Sequence, residues 1–490
     1  MLRIAQNGVV LLQLRPLVFT LGLLLCAVAG AMVLPAAVDA ADGTDHWQVF
    51  LTASVITGFV GGLMMFASYS AVSAKLGVRE GFVLTTASWV LISAFSALPF
   101  IGIGLNYTDS FFEAMSGLTT TGSTVIERLD KLPRGLLLWR ALLQGIGGFG
   151  IIVMAIIILP FLRVGGMQLF QAERPDRAEK IMPRAAELVS AAGSVYLGLM
   201  VACTVTYTVL GMTLFDAVCH ALTTVSTAGF STHDHSFAFF QSPSLEIAAT
   251  VFMILGALPF VVLIKAVSSD PWALFRDAQV RGLITVIVAV ILMMTLWLSS
   301  TRGLPLADAL RLTTFNVTSI VTTTGFHSAD YTAWGTFAVG MFFLLLFVGG
   351  CSGSTAGAIK IYRLQVAGML VRAHLQHLIS PNRVVTLTYN GRRLPDDVPF
   401  SIVAFLAVYL ATIGIFTVLL TALGLDFLTA LSSAATAVGT VGPGLGDTVG
   451  PYGTFSALPD AAKWALSVAM LLGRLELFTV LVLFRPEFWR

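Results

Sequence analysis

Long apolar runs separated by short polar stretches recur along most of the chain. Several are near or above the ~20 residues that a helix needs to cross a bilayer: Leu17–Val38, Trp47–Tyr69, Val83–Leu105, Leu136–Leu162 and Gly282–Ser300. Apolar residues fill these runs and do not form amphipathic stripes, as is typical of helices surrounded by lipid or by other apolar helices. We therefore predict an all-α polytopic membrane protein with about ten spans.

A repeated layout follows the first two apolar runs. Residues 1–78 form a transmembrane hairpin, and each later unit has an apolar run, a short segment, a Thr/Gly loop and a second apolar run. One glycine in each loop, recurring roughly every hundred residues, marks a degenerate internal repeat: Gly122, Gly229, Gly325 and Gly442. We place the four units at residues 79–185, 186–279, 280–395 and 396–490.

The short segment before each Thr/Gly loop is too short to span a bilayer, so we predict a re-entrant half-helix. In three units it starts near an aspartate suited to an N-cap, Asp109, Asp216 or Asp426. Non-helical backbone at membrane depth is tolerated only where protein buries it or where it lines a watery cavity. Four such segments therefore require a shared cavity, and the partially negative C-terminal ends of the half-helices favour a cation there.

The loops themselves predict the four walls of one cation filter. The stretch Thr440-Val441-Gly442-Pro443-Gly444 is close to the TVGYG loop, whose backbone carbonyls replace the hydration shell of K⁺ in channels. Thr/Gly pairs also occur where membrane helices pack closely, but four loops, each after a half-helix, favour ion coordination. The filter residues we predict are Thr120, Thr121, Gly122, Thr227, Ala228, Gly229, Thr323, Thr324, Gly325, Val441, Gly442 and Pro443.

A run of small residues interrupts the last helix of the third unit. Its glycines resemble a phosphate loop, but there is no Gly-Lys-Ser/Thr and no preceding strand, so a nucleotide site is not predicted. Small, weakly helix-forming residues at mid-membrane instead predict an unwound segment beneath the filter that acts as a gate; a tight helix crossing is the alternative. The residues assigned to the gate are Gly349, Gly350, Ser352, Gly353, Ser354, Thr355 and Gly357.

Arg474 lies inside the last apolar run, where a charge is costly and indicates a function. Two interpretations remain open. Arg474 either faces the pore and acts on cations, or pairs with a carboxylate such as Glu113 or Glu476. Glu113 and His220 occupy equivalent places in their half-helices, and we interpret them as braces of the filter and not as metal ligands.

Composition and charge narrow the function further. Charged residues make up 11% of the 490, and the net charge is +2, which gives no indication of nucleic acid as a partner. No nucleophile–base pair and no metal-ligand spacing is visible, so an enzyme is not predicted. With the filter loops facing outward, basic residues concentrate on the inner side, which predicts that both termini are cytoplasmic.

These motifs together resemble the Trk/Ktr/HKT superfamily of potassium transporters, specifically its TrkH/TrkG-type bacterial subunits. The resemblance covers nearly the whole chain. It rests on the four loops, on GCSGSTAGAIK from Gly350 to Lys360, on TVGPGLG from Thr440 to Gly446 and on GRLELFTVLVLF from Gly473 to Phe484.

The resemblance implies four M1–P–M2 (span, pore helix, span) units in pseudo-fourfold arrangement around a single pore, with the four glycines at its filter. It also implies a gating loop at Gly349–Gly357 and a pore-facing Arg474. It further implies a homodimer in the lipid bilayer, resting on a cytosolic TrkA-type ring. A nucleotide is expected only on that ring, and this chain is expected to carry no covalent cofactor. The basic stretches Arg174–Arg184 and Arg363–Arg393 are where we expect the ring to dock. Plant relatives that admit sodium have serine at the first filter position, so Gly122 favours potassium.

We therefore expect K⁺ uptake through one central filter. The driving force, membrane potential alone or with a coupled proton, stays open at this stage. The alternatives are a sodium- or mixed-cation member of the same superfamily, and a secondary transporter of organic solutes. The latter would have inverted repeats, whereas these units repeat in parallel.

Overall fold

The computed structural model describes residues 13–69, 77–157 and 181–489, with side chains from residue 186 in the last range. The chain is mostly helical, which confirms the all-α class. A helical hairpin comes first, with its helices at Leu14–Ala31, Val33–Ala41 and Trp47–Ser68. The helices Leu14–Ala31 and Trp47–Ser68 approach closely because glycines lie where they cross. A Cβ on Gly22 would lie 2.7 Å from the carbonyl oxygen of Gly61.

The first two units share one order of elements: a long helix, a half-helix, a 3₁₀ turn and a second long helix. In the first unit these are Val78–Ser96 (continued by Leu98–Ile101), Tyr107–Leu118, Leu129–Lys131 and Arg134–Ile157. In the second they are Ile181–Val209, Leu214–Val225, Ser236–Phe239 and Pro243–Gly256, followed by Phe260–Ser268 and Ala273–Arg276.

The third and fourth units keep this order, and their last helices are broken, as the last helix of the second unit is after Gly256. The third has Ala278–Arg302, Leu306–Val321, Tyr331–Trp334, Thr336–Leu345 and Ile361–Ile379, then a two-stranded antiparallel hairpin of Thr388–Tyr389 and Arg392–Arg393. The fourth has Asp397–Ala422, Phe427–Gly439, Phe455–Ala457, Asp460–Arg474, Phe478–Leu481, Val482–Phe484 and Pro486–Trp489. We call Tyr107–Leu118, Leu214–Val225, Leu306–Val321 and Phe427–Gly439 half-helices 1 to 4.

Within the described ranges, seven helices are long and apolar enough to cross a membrane, and nine spans result if two bent pairs count as one span each. The bends are 102° between Pro243–Gly256 and Phe260–Ser268, and 105° between Asp460–Arg474 and Phe478–Phe484. The tenth predicted span is the third unit's last helix, which is divided between Thr336–Leu345 and Ile361–Ile379. Small residues in the interrupting segment explain the division.

The N-caps differ in part from the prediction. Asp426 caps half-helix 4, where its carboxylate accepts a hydrogen bond from the Thr429 backbone N–H at 3.0 Å. Asn106 and Thr213 cap half-helices 1 and 2, and Asp109 and Asp216 lie in the first helical turn, where they donate their backbone N–H groups to those caps. Assigning Asp109 and Asp216 as the caps was therefore wrong by three residues, because a carboxylate in the first turn is also favoured by the helix dipole.

The basic stretch Arg174–Arg184, predicted to dock a cytosolic ring, lies outside the residues whose side chains the structure describes. The second stretch, Arg363–Arg393, begins in the membrane region and continues into Ile361–Ile379 and the β-hairpin. Arg363 itself is buried beside Glu476 and is not available to a partner.

Candidate ion filter and the loop beneath it

The four loops adopt the same backbone conformation at the C-terminal ends of their half-helices. Each has a threonine in the left-handed region, and a glycine with positive φ follows two residues later. The pairs are Thr120 (54°) and Gly122 (87°), Thr227 (49°) and Gly229 (79°), Thr323 (58°) and Gly325 (84°), and Thr440 (50°) and Gly442 (110°). Non-glycine residues rarely adopt this conformation, so its fourfold recurrence points to a constrained, functional turn.

The same backbone hydrogen bond holds each turn. The residue before each glycine donates its N–H to the carbonyl five positions back, at 2.8–3.1 Å. The donor–acceptor pairs are Thr121–Ser116, Ala228–Thr223, Thr324–Ser319 and Val441–Thr436. Because these bonds satisfy carbonyls at the helix ends, the half-helices stop at equivalent points.

The glycines close the four loops into a ring. A Cβ on Gly122 would lie 2.2 Å from the carbonyl oxygen of Ala228, and one on Gly229 would lie 1.9 Å from that of Thr324. A Cβ on Gly325 would lie 2.2 Å from the carbonyl oxygen of Val441. Gly442 completes the ring, because its Cβ would lie 2.8 Å from the carbonyl oxygen of Thr121. Each glycine is therefore required both by its φ and by the backbone of the next loop.

A buried ion pair braces the first loop. The Arg140 Nε lies 2.8 Å from a Glu113 carboxylate oxygen, and both side chains are almost fully buried. Glu113 also accepts hydrogen bonds from the Thr124 hydroxyl and the Val125 backbone N–H at 3.0 Å. Arg140 reaches the next loop, donating to the Ser231 carbonyl at 2.9 Å. This pair fixes the segment that follows Gly122 to the segment that follows Gly229.

Polar side chains at nearly the same place in the other half-helices brace their own loops. His220 contacts the Ser231 hydroxyl at 3.0 Å, and Asn316 donates to the Ser328 hydroxyl at 3.1 Å. In the fourth unit the Ser432 hydroxyl accepts from the Leu445 backbone N–H at 3.0 Å. The bracing residue thus differs between units while its geometry recurs.

A cavity of about 490 Å³ opens above the ring. All four ring glycines line it, together with side chains of both polar and charged type. Carbonyl-lined backbone at the base of an open cavity is the arrangement in which a cation exchanges its water shell for protein oxygens.

The segment between Thr336–Leu345 and Ile361–Ile379 runs directly beneath the ring. The Thr227 hydroxyl donates to the Thr355 hydroxyl at 3.1 Å, and the Gly357 backbone N–H donates to the Thr323 hydroxyl at 2.7 Å. Gly357 also lies against Thr440, since a Cβ on it would be 1.9 Å from that hydroxyl oxygen. The loop therefore touches three of the four left-handed threonines.

The remaining residues assigned to the gate hold this loop to its surroundings. Backbone hydrogen bonds link Gly349 N–H to Ile359, Ile361 N–H to Gly350 and Phe260 N–H to Gly353 at 2.9–3.1 Å. Ser352 donates its N–H to the Gln279 side chain at 2.7 Å, and the Ser354 hydroxyl donates to Cys351 at 2.7 Å. The segment is therefore an ordered loop and not the tight helix crossing.

Arg474 contacts the loop and not a carboxylate. Its guanidinium donates to the Thr355 carbonyl at 2.8 Å and is 3% exposed, while its other two nitrogens have no partner among the described residues. The two carboxylates proposed for it are engaged elsewhere, Glu113 by Arg140 and Glu476 by Arg363. The pairing interpretation is therefore wrong, because each carboxylate is held by a nearer arginine.

Comparison with known proteins identifies the family of this chain. The family described as "TrkH: Cation transport protein" matches residues 46–490. This chain belongs to that family. It is 50% identical over 413 residues to the potassium uptake protein TrkI of Halomonas elongata, covering 84% of each chain. It is 37% identical over 485 residues to TrkH of the same organism, covering 98% of this chain and 100% of the relative.

A solved structure agrees with the fold. The crystal structure of the potassium transporter TrkH from Vibrio parahaemolyticus superimposes with a TM-score of 0.90 at 34% identity, covering 98% of this chain and 100% of that one. The predicted family and the polytopic helical fold are therefore confirmed.

Three important residues of this TrkH-family chain were absent from the predicted site. Thr440 occupies the position equivalent to Thr120, Thr227 and Thr323, whereas Pro443, which we predicted, lies one position beyond the ring glycine. Aligning the four loops on their glycines would have found Thr440. Arg140 and Gln144 gave no such signal, because they come from a spanning helix and reach the loops only in the tertiary structure.

Outside the spans, His233 ties together the loops that follow half-helices 1 and 2. Its Nδ1 lies 2.5 Å from Asp130 and its Nε2 lies 3.6 Å from Asp216. Burial lowers the pKa of His233, but the carboxylates of Asp216 and Asp130 raise it by more, so its pKa is above the usual value. In its protonated form, His233 therefore links Asp130, which follows half-helix 1, to Asp216, in the first turn of half-helix 2.

We expect the unfolding temperature of the detergent-purified protein to fall as the pH rises through the folded-state pKa of His233. A group whose pKa is raised by folding stabilises the folded state fully at a pH below its unfolded-state pKa, which is about 6.5 for histidine. That stabilisation is lost as the pH rises above the folded-state pKa. The effect is below about 1 kcal/mol, because solvent screens the half-exposed Asp130. His233→Gln removes this fall and the exposed control His235→Gln retains it; equal pH profiles for wild type and His233→Gln would contradict the assignment.

Proposed function

We propose that this protein mediates K⁺ uptake across the bacterial inner membrane, and that K⁺ crosses through the ring of four loops. The observation that carries the proposal is the closure of that ring, in which four equivalent turns place backbone carbonyls around one axis. The half-helices point their C-terminal ends at this ring, which favours a cation. The names of the Halomonas elongata relatives as potassium uptake proteins support the choice of ion.

Expression in a bacterium that lacks its own potassium uptake systems tests the proposal. We expect growth at low K⁺ to be restored, and restored equally well when excess Na⁺ is present. Failure to restore growth, with the protein correctly inserted, would refute K⁺ uptake. Growth that Na⁺ inhibits strongly would indicate a mixed-cation protein instead.

The loop at Gly349–Gly357 is the gate in this proposal. Its contacts with Thr227, Thr323 and Thr440 support a position across the inner exit of the ring. Arg474 holds the loop through Thr355 and puts a positive charge beside the path of the ion. Opening then requires the loop and Arg474 to separate, which removes both the obstacle and the repulsion.

We expect Arg474→Met to raise K⁺ flux through the closed protein roughly thirtyfold. At an effective dielectric constant of about 20, two unit charges about 8 Å apart repel by about 2 kcal/mol, which is roughly thirtyfold in rate. Ion flux into proteoliposomes of the purified chain measures the change. Arg485→Met, at an exposed position beyond the last span, is the control and leaves the flux at the wild-type level. An unchanged flux in Arg474→Met would remove Arg474 from the pathway.

The gate is controlled from the cytosol in this proposal. A homodimer of this chain carries a TrkA-type ring on its basic inner loops, the nucleotide binds to the ring, and both termini of this chain are cytoplasmic. The exposed residues Arg383 and Arg393 of the second basic stretch are consistent with this docking side. Co-purification of the ring, lost on reversing these two charges, tests the contact.

The driving force is the membrane potential, alone or with a coupled proton. A K⁺ reversal potential at the Nernst value and independent of pH would establish a channel. A reversal potential that shifts with pH would establish proton coupling.

A further inference from the structure

The helix Arg134–Ile157 is wedged between half-helices 1 and 2. A Cβ on Gly147 would lie 1.8 Å from the carbonyl oxygen of Leu118, the last residue of half-helix 1. A Cβ on Gly148 would lie 2.6 Å from the Cβ of Ser226, at the end of half-helix 2. Side chains on this face of the helix therefore have little room to move relative to the two loops.

Gln144, on the same helix, is completely buried and its amide bridges the second ring glycine. Its Nε2 donates to the Ala228 carbonyl at 2.8 Å, and its Oε1 accepts from the Phe230 backbone N–H at 3.0 Å. The side chain thus pairs with the peptide groups on both sides of Gly229, as a neighbouring strand would. Both hydrogen-bonding groups of a buried amide are satisfied, which fixes its orientation.

The Ala228 carbonyl differs from its three equivalents in this respect. Among the described residues, a side chain donates a hydrogen bond to the Ala228 carbonyl, whereas no side chain donates to the carbonyls of Thr121, Thr324 or Val441. It also lies against Gly122, at the junction of the first and second loops. Gln144 therefore acts on one carbonyl of the ring and on the spacing between two loops.

We propose that Gln144 is a positioning residue that sets the cation specificity of the filter. The inference rests on the proposed function. The N–H dipole of Gln144 places positive charge beside the Ala228 oxygen and reduces the field that this oxygen exerts on a cation. The bond also holds the oxygen at a fixed place. Selection between K⁺ and Na⁺ depends on the number, the spacing and the field strength of the coordinating carbonyls, so a weak, fixed carbonyl favours the larger ion.

The test uses the full chain in a bacterium that lacks its own potassium uptake systems. Uptake of labelled Rb⁺ is measured with K⁺ or Na⁺ as competitor. Specificity is the concentration of Na⁺ that halves Rb⁺ uptake divided by the concentration of K⁺ that does so. We expect Gln144→Met, which keeps the side-chain length and removes both hydrogen bonds, to lower this ratio about tenfold. Gln365→Met is the matched control, because Gln365 also donates and accepts through its amide, to Ala278 and from Tyr389, away from the ring.

Gln144→Glu separates specificity from simple scaffolding. The protonated carboxyl can donate to the Ala228 carbonyl and the carboxylate cannot. Relative to wild type at the same pH, the specificity ratio of this variant is therefore expected to fall as the external and internal pH are raised together. A role confined to packing would lower total uptake with no pH-dependent change of the ratio.

Each outcome decides the inference. A lower ratio in Gln144→Met and a pH-dependent ratio in Gln144→Glu, with Gln365→Met unchanged, support it. Unchanged ratios in both variants overturn it, and so does loss of folded protein in both, since Gln144 would then serve folding. Absence of K⁺-inhibited Rb⁺ uptake in the wild type would instead refute the proposed function.

Discussion

Gly229→Ala is expected to abolish K⁺ uptake, with a loss of at least about a hundredfold. The new Cβ would lie 1.9 Å from the Thr324 carbonyl oxygen, a backbone atom that cannot move without displacing the third loop. The residue also has a φ of +79°, where an L side chain is strained by about 1–2 kcal/mol. Together with an overpacking cost of about 1–3 kcal/mol, this opens the ring between the second and third loops.

Gly104→Ala separates the two causes. Gly104 has a φ of +90°, close to that of Gly229, but among the described residues no atom beyond its two chain neighbours lies within 4 Å of the position of its Cβ. The control variant therefore carries the conformational strain without the collision, and its K⁺ uptake is expected to stay within about twofold of wild type, in line with a strain near 1 kcal/mol. Low-K⁺ growth and Rb⁺ uptake measure both variants. Equal losses at the two positions would show that the ring contact does not matter.

Glu113→Gln is expected to destabilise the folded protein by about 3–5 kcal/mol, the usual cost of removing one member of a buried ion pair. Arg140 would keep its hydrogen bonds to Ser231 and Thr124 and its stacking over Phe230 at 4.1 Å. Its charge would nevertheless remain buried with no anion beside it. Thermal unfolding of the detergent-purified protein measures the loss, and K⁺ uptake should fall with it.

A double variant and a surface pair complete this experiment. Glu113→Gln combined with Arg140→Met leaves no unpaired charge, so we expect it to be more stable than the sum of the two single changes predicts. The exposed pair Arg276–Asp270, at 3.0 Å, is the control, and Arg276→Ala should change stability by less than about 1 kcal/mol. If Glu113→Gln were as mild as Arg276→Ala, the brace of the first loop would lie elsewhere.

Much of the architecture could be predicted from the order of residues. Apolar runs of sufficient length predicted the spans, and segments too short to cross predicted the half-helices. The four glycines were found because one local conformation requires glycine wherever it occurs. The small residues at 349–357 predicted a break in the helix for the same reason, since their helix propensity is low.

The predicted filter omitted one residue at its edge. Thr440 was left out, because the resemblance to TVGYG drew attention to the residues after the valine. Pro443, which was included, lines the cavity with the four ring glycines. The left-handed φ of Thr440 matches that of the other three threonines. A comparison of the four repeats with one another, position by position, is a better guide here than comparison with a channel motif.

By itself, the sequence determined what is local: which segments cross the membrane, where helices stop and where only glycine fits. These properties depend on side-chain hydrophobicity and backbone sterics over a few residues. Only the tertiary structure decided how the loops close into a ring and which charges meet. Arg140 reaches Glu113, Arg474 reaches Thr355, and Gln144 reaches Ala228 across separations from 27 to 119 positions. Such partners are chosen by packing in three dimensions, for which the local pattern of residues carries no signal.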